Sequence, residues 1–155
     1  MGEKHSDLIN KSRAAFLKWR ALPAPERGNY IRLFGEALRE QKKEVANQIT
    51  SEAKKIISES EGEVQEVIDM CDFATGLSRQ LYGLTMPSER PNHRLQEIWQ
   101  PLGIVGCITA FNFPVAVFGW NFCLAAVCGN SIIWKPSPHS EGCAELTKKI
   151  WDTVA

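Results

Sequence analysis

Hydrophobic residues recur at intervals of three and four along the first part of the chain. The first such run extends from Leu8 to Trp19, and its spacing predicts an amphipathic helix capped by Ser6. Pro23 ends this run, and Pro25 suits the first turn of a second helix. The predicted apolar face of that second helix comprises Ile31, Leu33, Phe34, Ala37 and Leu38.

Two further helices are predicted before the chain changes character. They cover residues 43–58 and residues 61–82, with Gly83 as the stop signal of the second. The apolar positions that indicate a buried face on this fourth helix are Val64, Val67, Ile68, Cys71 and Phe73.

The second half of the chain is patterned for strands. A turn-rich stretch, residues 87–93, precedes residues 94–99, which alternate as in a half-exposed strand. Residues 103–109 form a short apolar run of β type. Residues 113–128 are apolar on nearly every side, which predicts a buried helix with Pro114 in its first turn.

A second strand and a last helix complete the pattern. Gly129 and Asn130 predict a turn into the apolar strand 131–134. Ser140 is positioned to cap a final helix that extends to Ala155. This order of strand, buried helix, strand and helix is typical of a parallel α/β sheet. Since two strands cannot cover the buried helix on both faces, we expect the sheet to be cut at the C-terminal end of the chain.

Composition narrows the class of protein. With 155 residues, 44% of them hydrophobic and 23% charged, the chain has the size of a single domain. Its 18 basic and 18 acidic residues balance, so we expect neither nucleic acid nor a membrane as partner but a small molecule or another subunit. The five cysteines follow no metal-binding or CxxC spacing, which favours free, buried thiols in a cytoplasmic protein.

The segment with the most chemical information is Gly103-Ile104-Val105-Gly106 through Asn112-Phe113-Pro114. It predicts that a strand delivers one amide side chain, Asn112, between two aromatic rings just before a buried helix begins. An enclosed amide needs hydrogen-bond partners. From the residues alone, a helix cap is the better interpretation of Asn112.

This segment resembles the aldehyde dehydrogenase family, in which a PLG(I/V)VG strand leads to an N-F-P motif. The similarity continues through Trp120, Gly129-Asn130 and Trp134-Lys135-Pro136-Ser137. It implies an α/β fold: helices over about 1–83, a strand region at 94–102 linked to oligomerisation, and the start of a Rossmann-like NAD-binding sheet over 103–155.

The resemblance implies roles for individual residues. Asn112 matches the asparagine whose amide binds the oxyanion formed when a cysteine thiolate attacks the aldehyde. Phe113, Val117 and Trp120 match positions that line the aldehyde tunnel, although ordinary core packing is an equal alternative for Val117.

The resemblance also implies a dinucleotide cofactor. The backbone of Ile108, Thr109, Ala110 and Phe111 would pack along its nicotinamide half, and Lys135 at the strand end would reach the adenosine ribose. Ser137 and Pro138 lie in the same implied site. Many NAD-dependent members have glutamate where this chain has Pro138. One branch, the antiquitin-like enzymes, has proline there and uses NAD, which favours NAD over NADP.

That antiquitin-like branch is the most similar, through Gly62-Glu63-Val64-Gln65-Glu66 and Pro87-Ser88-Glu89-Arg90. Its members oxidise α-aminoadipic semialdehyde in lysine breakdown and are homo-oligomers, typically tetramers. Glu66 matches a carboxylate near the amino-acid end of that substrate. The alternative for Glu66 is an exposed helix glutamate without a role.

The nucleophilic cysteine and the glutamate base of the family have no counterpart in this sequence. We therefore expect the isolated chain to be inactive and the activity to belong to a longer polypeptide. A short, non-catalytic interaction or regulatory module is the alternative. The nucleotide sequence beyond Ala155 distinguishes the two, since an open frame encoding the rest of the enzyme supports the first.

Overall fold

A computed structural model describes residues 2–155 of the chain. Four helices come first, followed by a hairpin and then a parallel strand pair with its two helices. The elements are α1 (Gly2–Trp19), α2 (Ala24–Glu40), α3 (Lys42–Ala53), α4 (Ile57–Leu77), β1 (Thr85–Pro87), β2 (Arg94–Gln96), β3 (Ile104–Ile108), α5 (Ala116–Val127), β4 (Ser131–Lys135) and α6 (Glu141–Trp151).

The first helix differs from its prediction. Ser6 lies within α1, which begins at Gly2, so the expected cap at Ser6 is wrong. Leu8 and Ile9 are exposed, because α1 meets the rest of the protein mainly through its C-terminal half. There the indole Nε1 of Trp19 donates to the carbonyl oxygen of Ala126 at 2.8 Å.

The second helix is as predicted, with Pro25 in its first turn. It contributes Ile31, Phe34 and Leu38 to the core, all fully buried. The ring of Phe34 meets those of Phe122 and Trp151 edge to face. The helical layer therefore packs directly on the helices of the sheet unit.

The boundary between the third and fourth helices was predicted too late. Lys54 adopts a left-handed conformation that ends α3, and α4 begins at Ile57. The stop at Gly83 is also wrong, since α4 ends at Leu77. A Cβ atom on Gly83 would lie 2.2 Å from the carbonyl oxygen of Glu97, so glycine there permits two chain segments to approach closely rather than ending a helix.

The buried face of the fourth helix was predicted correctly with one exception. Phe73 is 57% exposed, whereas Val64, Val67, Ile68 and Cys71 are buried. Residue 73 lies between buried positions 71 and 74 in sequence. The turn of the helix from one residue to the next puts its side chain on a different face from theirs.

The predicted parallel sheet unit is confirmed. β3 pairs with β4 in parallel, in a register that aligns Ile104 with Ser131 and Ile108 with Lys135. At the start of the strands, the side-chain Oδ1 of Asn130 accepts a hydrogen bond from the backbone N–H of Gly103 at 2.9 Å. The turn at Gly129 and Asn130 thus joins the helix to β4 and also aligns the two strands.

The strand predicted at residues 94–99 is shorter than expected. β2 pairs with β1 as an antiparallel hairpin, and all six paired residues are exposed. The predicted turn-rich stretch forms the hairpin loop. No helix in the described part of the chain combines the length and the apolar character that crossing a membrane requires.

Candidate active site

The carboxyl ends of β3 and β4 form one edge, because Ile108 is paired with Lys135. The backbone N–H of Thr109 donates to the carbonyl oxygen of Lys135 at 3.2 Å. The indole Nε1 of Trp134 donates to the hydroxyl of Thr109 at 3.0 Å. Ligands of open α/β sheets bind at this edge, so the two segments predicted to meet the cofactor leave the sheet side by side.

The residues predicted to bind cofactor differ in exposure. Ile108, Ala110 and Phe111 are exposed, whereas Thr109 is buried and its side chain is engaged by Trp134. The ring of Phe111 meets that of His139 edge to face at 6.3 Å. The loop after β3 therefore contacts the loop after β4.

The loop after β4 carries the other predicted cofactor residues. Lys135 is exposed at the strand end. Ser137 is buried, and its hydroxyl accepts a hydrogen bond from the backbone N–H of His139 at 3.2 Å. Pro138 is exposed and begins a 3-10 turn, Pro138–Ser140. Lys135 and Pro138 are thus open to a ligand, while the Ser137 hydroxyl shapes the turn.

Asn112 is exposed in the irregular segment between β3 and α5. Its expected enclosure by two rings is wrong, since Phe111 and Phe113 are themselves exposed. The helix-cap alternative is wrong too, because α5 begins four residues later, at Ala116, without a side-chain cap from its neighbouring residue. The amide of Asn112 is therefore available to a ligand.

A carboxylate from another helix takes the capping role. Oε1 of Glu63 on α4 accepts hydrogen bonds from the backbone N–H groups of Val115 at 2.8 Å and Ala116 at 3.1 Å. The Glu63 side chain is 1% exposed. A negative charge at the start of a helix satisfies its free N–H groups and interacts favourably with its dipole.

Glu63 is also half of a buried ion pair. Its Oε2 lies 2.6 Å from Nζ of Lys55, whose side chain is 14% exposed. The same Nζ lies 3.6 Å from the centroid of the Phe113 ring, within the range of a cation–π interaction. The two side chains together contact the chain on the C-terminal side of Asn112.

The predicted substrate residues lie on an exposed face of α5 and the segment before it. Phe113, Val117 and Trp120 are 43%, 39% and 50% exposed, so the expectation that this helix is buried all round is wrong. Val117 is only partly covered by the described chain, so its tunnel role and its core-packing alternative both stay open. Glu66 is exposed on α4, which packs beside α5 through Val67 and Gly119.

The last helix begins in the same manner as α5. Ser140 lies at the N-terminal boundary of α6 as predicted, but its side chain makes no capping hydrogen bond. Oε1 and Oε2 of Glu52 on α3 instead accept from the backbone N–H groups of Gly142 and Cys143, both at 2.8 Å. Burial alone would raise the pKa of Glu52, but the hydrogen bonds from Cys143 and Gly142 outweigh it and lower the pKa below its ordinary value of 4.5.

The cysteines are mostly core residues. Cys71 and Cys123 contact each other in the core at 3.6 Å between sulfur atoms, and four of the five thiols are buried as expected. Burial raises the pKa of Cys107, Cys128 and Cys143, which disfavours the reactive thiolate. Within the described residues, no group of three or more His, Cys, Asp or Glu side chains is arranged to hold a metal ion.

The contacts of Lys55, Glu63 and Glu52 were not predicted from the sequence. One signal was available for Glu63, since it falls on the buried stripe of α4 beside Val64 and Val67. A charged residue on an apolar stripe requires a partner. The partner could not be identified, because Val115 lies 52 residues away in sequence.

A cavity of about 300 Å³ lies elsewhere, lined by Arg20, Arg27, Trp99, Cys128 and their neighbours. The guanidinium of Arg27 is occupied there by carbonyl oxygens of Val127 and Leu22. The edge that carries Asn112 and Lys135 is by contrast an open surface.

Comparison with known proteins agrees with this fold. The sequence profile of the aldehyde dehydrogenase family matches residues 2–155. Aldehyde dehydrogenase family 7 member A1 of Malus domestica is 54% identical over 136 residues, 88% of this chain and 27% of that protein. Alpha-aminoadipic semialdehyde dehydrogenase of Rattus norvegicus is 51% identical over 94% of this chain and 27% of that protein.

Solved structures have the same fold. Lactaldehyde dehydrogenase from Escherichia coli superposes with a TM-score of 0.91 at 30% identity, covering 95% of this chain and 31% of that one. Glyceraldehyde-3-phosphate dehydrogenase from Methanocaldococcus jannaschii, complexed with NADP, gives 0.92 at 25% identity over 98% and 33%. The chain belongs to the aldehyde dehydrogenase family, and it spans less than a third of the length of the relatives that it matches.

Proposed function

We propose that this chain is part of an NAD-dependent enzyme that oxidises an amino-acid-derived semialdehyde, such as α-aminoadipic semialdehyde, to the carboxylate. The observation that carries the proposal is the position of Asn112. Its amide is exposed at the ligand-binding edge of a parallel sheet, while Glu63 and Thr109 hold the backbone on either side.

Asn112 would act as an oxyanion donor. When a thiolate attacks the aldehyde carbon, negative charge develops on the aldehyde oxygen. A donor fixed before the reaction stabilises that charge preferentially in the transition state, by about 3 to 4 kcal/mol. The core-buried thiols of this chain do not suit the attacking role, so the thiolate and the general base would come from the remainder of the enzyme.

The cofactor would lie along the strand ends. Ile108, Ala110 and Phe111 offer an exposed surface, and Lys135, paired in register with Ile108, offers an ammonium group to ribose hydroxyls. Pro138 occupies the position where the antiquitin-like branch of the family tends to have proline and uses NAD. Bound there, NAD would supply the hydride acceptor.

The substrate would lie against the exposed face of α5. Phe113, Val117 and Trp120 present apolar surface suited to a carbon chain. Glu66 offers a carboxylate that would pair with the α-amino group of an amino-acid semialdehyde. Two of the relatives are named for this chemistry, as alpha-aminoadipic semialdehyde dehydrogenases.

The chain alone would have no catalytic activity, and the complete enzyme would be a homo-oligomer. The hairpin β1–β2 is exposed along both strands, and Leu95, Ile98, Trp99 and Leu102 near it are exposed as well. Such a surface suits contact with another part of the enzyme or another subunit.

Replacement of Asn112 tests this function. In the full-length enzyme, Asn112→Ala should lower kcat by about a hundredfold or more, with little effect on cofactor affinity. Asn121→Ala is the matched control, since this exposed asparagine on α5 donates to the carbonyl oxygen of Val117 within its own helix. Near-normal kcat in Asn112→Ala would disprove the oxyanion role.

A further inference from the structure

The segment from Thr109 to Val115 carries Asn112 but belongs to neither a helix nor a strand. At its start, Thr109 is held to β4 by its backbone N–H, which donates to Lys135, and by its hydroxyl, which accepts from Trp134. The Asn112 side chain is exposed, so its direction depends on the backbone that carries it. An exposed amide on an unrestrained loop would be a poor oxyanion donor, because catalysis requires the donor in position before the charge develops.

Restraint on the C-terminal side of Asn112 comes from α4 and the turn before it. Glu63 fixes the backbone at Val115 and Ala116, three and four residues after Asn112. Lys55 contacts the ring of Phe113, the next residue. The ion pair between Lys55 and Glu63 joins these two contacts into one unit.

A buried ion pair is weak evidence of a purely stabilising role. Removing two charges from water costs several kcal/mol for each ion, and apolar residues of similar volume often stabilise a protein as well or better. Here the ion pair orients the backbone. A carboxylate with three donors around it and an ammonium over an aromatic ring permit few arrangements of residues 113–116.

We infer that Glu63 and Lys55 are positioning residues, which set the direction of the Asn112 amide through the backbone of Val115 and the ring of Phe113. This inference rests on the proposed function of Asn112. Neither side chain touches the substrate in this scheme, and both act on the rate only through Asn112.

A double-mutant cycle in the full-length enzyme tests this dependence. Glu63→Ala should lower kcat about tenfold when Asn112 is present and less than twofold in the Asn112→Ala background, because the interaction that it orients is then absent. The KM for NAD should remain within about twofold in both backgrounds.

Glu63→Gln should recover part of the loss in kcat, since the amide oxygen still accepts from Val115 and Ala116. Lys55→Met removes the ammonium but keeps an unbranched side chain, and it should also lower kcat only when Asn112 is present.

Glu52→Ala is the matched control, since it removes the equivalent carboxylate from the start of α6. It should lower the melting temperature as Glu63→Ala does but keep kcat within about twofold. If Glu63→Ala does not fold, Glu63→Gln and Lys55→Met carry the same test.

The outcomes separate the two proposals. A near-normal kcat in Asn112→Ala overturns the oxyanion role and this inference with it. A large loss in Asn112→Ala, combined with equal losses from Glu63→Ala in both backgrounds or with no loss at all, overturns the positioning role alone.

Discussion

Gly119 on α5 lies against Val67 on α4 with no room for a side chain between them. A Cβ atom on Gly119 would be 2.5 Å from Cγ1 and 2.7 Å from Cγ2 of Val67. Two neighbouring contacts, Glu63 with Val115 and Cys71 with Cys123, also join residues that are 52 positions apart in sequence. The two helices therefore run parallel in a fixed register, and the contact at Gly119 sets how closely they approach.

Gly119→Ala should destabilise the protein by about 1 to 3 kcal/mol, since valine is stiff at χ1 and cannot move aside. Gly62→Ala is the matched control. That glycine lies within α4, and a Cβ atom there would meet nothing within 4 Å, so alanine should stabilise the helix by about 0.5 to 1 kcal/mol. Urea unfolding of both variants provides the measurement. Rescue of Gly119→Ala by Val67→Ala would identify the steric cause, and a neutral Gly119→Ala would refute it.

Lys135→Ala should act on cofactor binding rather than on chemistry. Lys135 lies at the strand end, paired with Ile108, where the proposal has its ammonium donating to ribose hydroxyls. Loss of a hydrogen bond from a charged group should raise the KM for NAD about tenfold and leave kcat at saturating NAD within about twofold. Steady-state kinetics beside Asn112→Ala tests the contrast. A fall in kcat at unchanged KM would show that the assignment is wrong.

Glu66→Gln should change substrate selectivity. If the carboxylate pairs with an α-amino group, its neutralisation should raise the KM for α-aminoadipic semialdehyde about tenfold or more. The KM for a simple aliphatic aldehyde should not change, because that substrate has no amino group. Glu61→Gln, a partly buried position in the first turns of the same helix, controls for a general change of charge on α4. Equal effects on both substrates would favour the alternative in which Glu66 is merely exposed.

Glu52 makes stability depend on pH in a defined direction. Its pKa in the folded protein is lowered below the ordinary value of 4.5, so the unfolded chain binds its proton at a higher pH than the folded chain does. The stabilisation is therefore complete above the unfolded pKa and is lost as pH falls through the folded one. Melting temperatures of the wild type and Glu52→Gln should differ at pH 7 and converge as pH falls below 4.5. A difference that persists unchanged at low pH would contradict this linkage.

The parts of the fold that local pattern determines were predicted well. The strands at Ile104–Ile108 and Ser131–Lys135 are short apolar runs next to Gly103 and Gly129, and both glycines have positive φ angles that few other residues adopt. Their order along the chain was enough to predict parallel pairing and to locate Lys135 at the carboxyl edge of the strands.

The features that depend on distant contacts were not predicted. Periodicity identified the apolar residues of α5 but not that Val117 and Trp120 would be exposed, since that depends on which faces α4 and the sheet cover. Local capping rules assigned Asn112 and Ser140 to the starts of helices. Side chains of Glu63 and Glu52, from helices α4 and α3, perform that role.

These two carboxylates also disfavour anion binding at the starts of α5 and α6. In many open α/β sheets, the N-termini of the helices after the strands hold phosphate groups through free N–H groups and the helix dipole. Here Glu63 neutralises that end of α5, and Glu52 neutralises that end of α6. A phosphate placed at either helix would meet a carboxylate and lose its donors. A dinucleotide on this edge would therefore rest its sugars and rings against the strand ends and extend its pyrophosphate away from both helices.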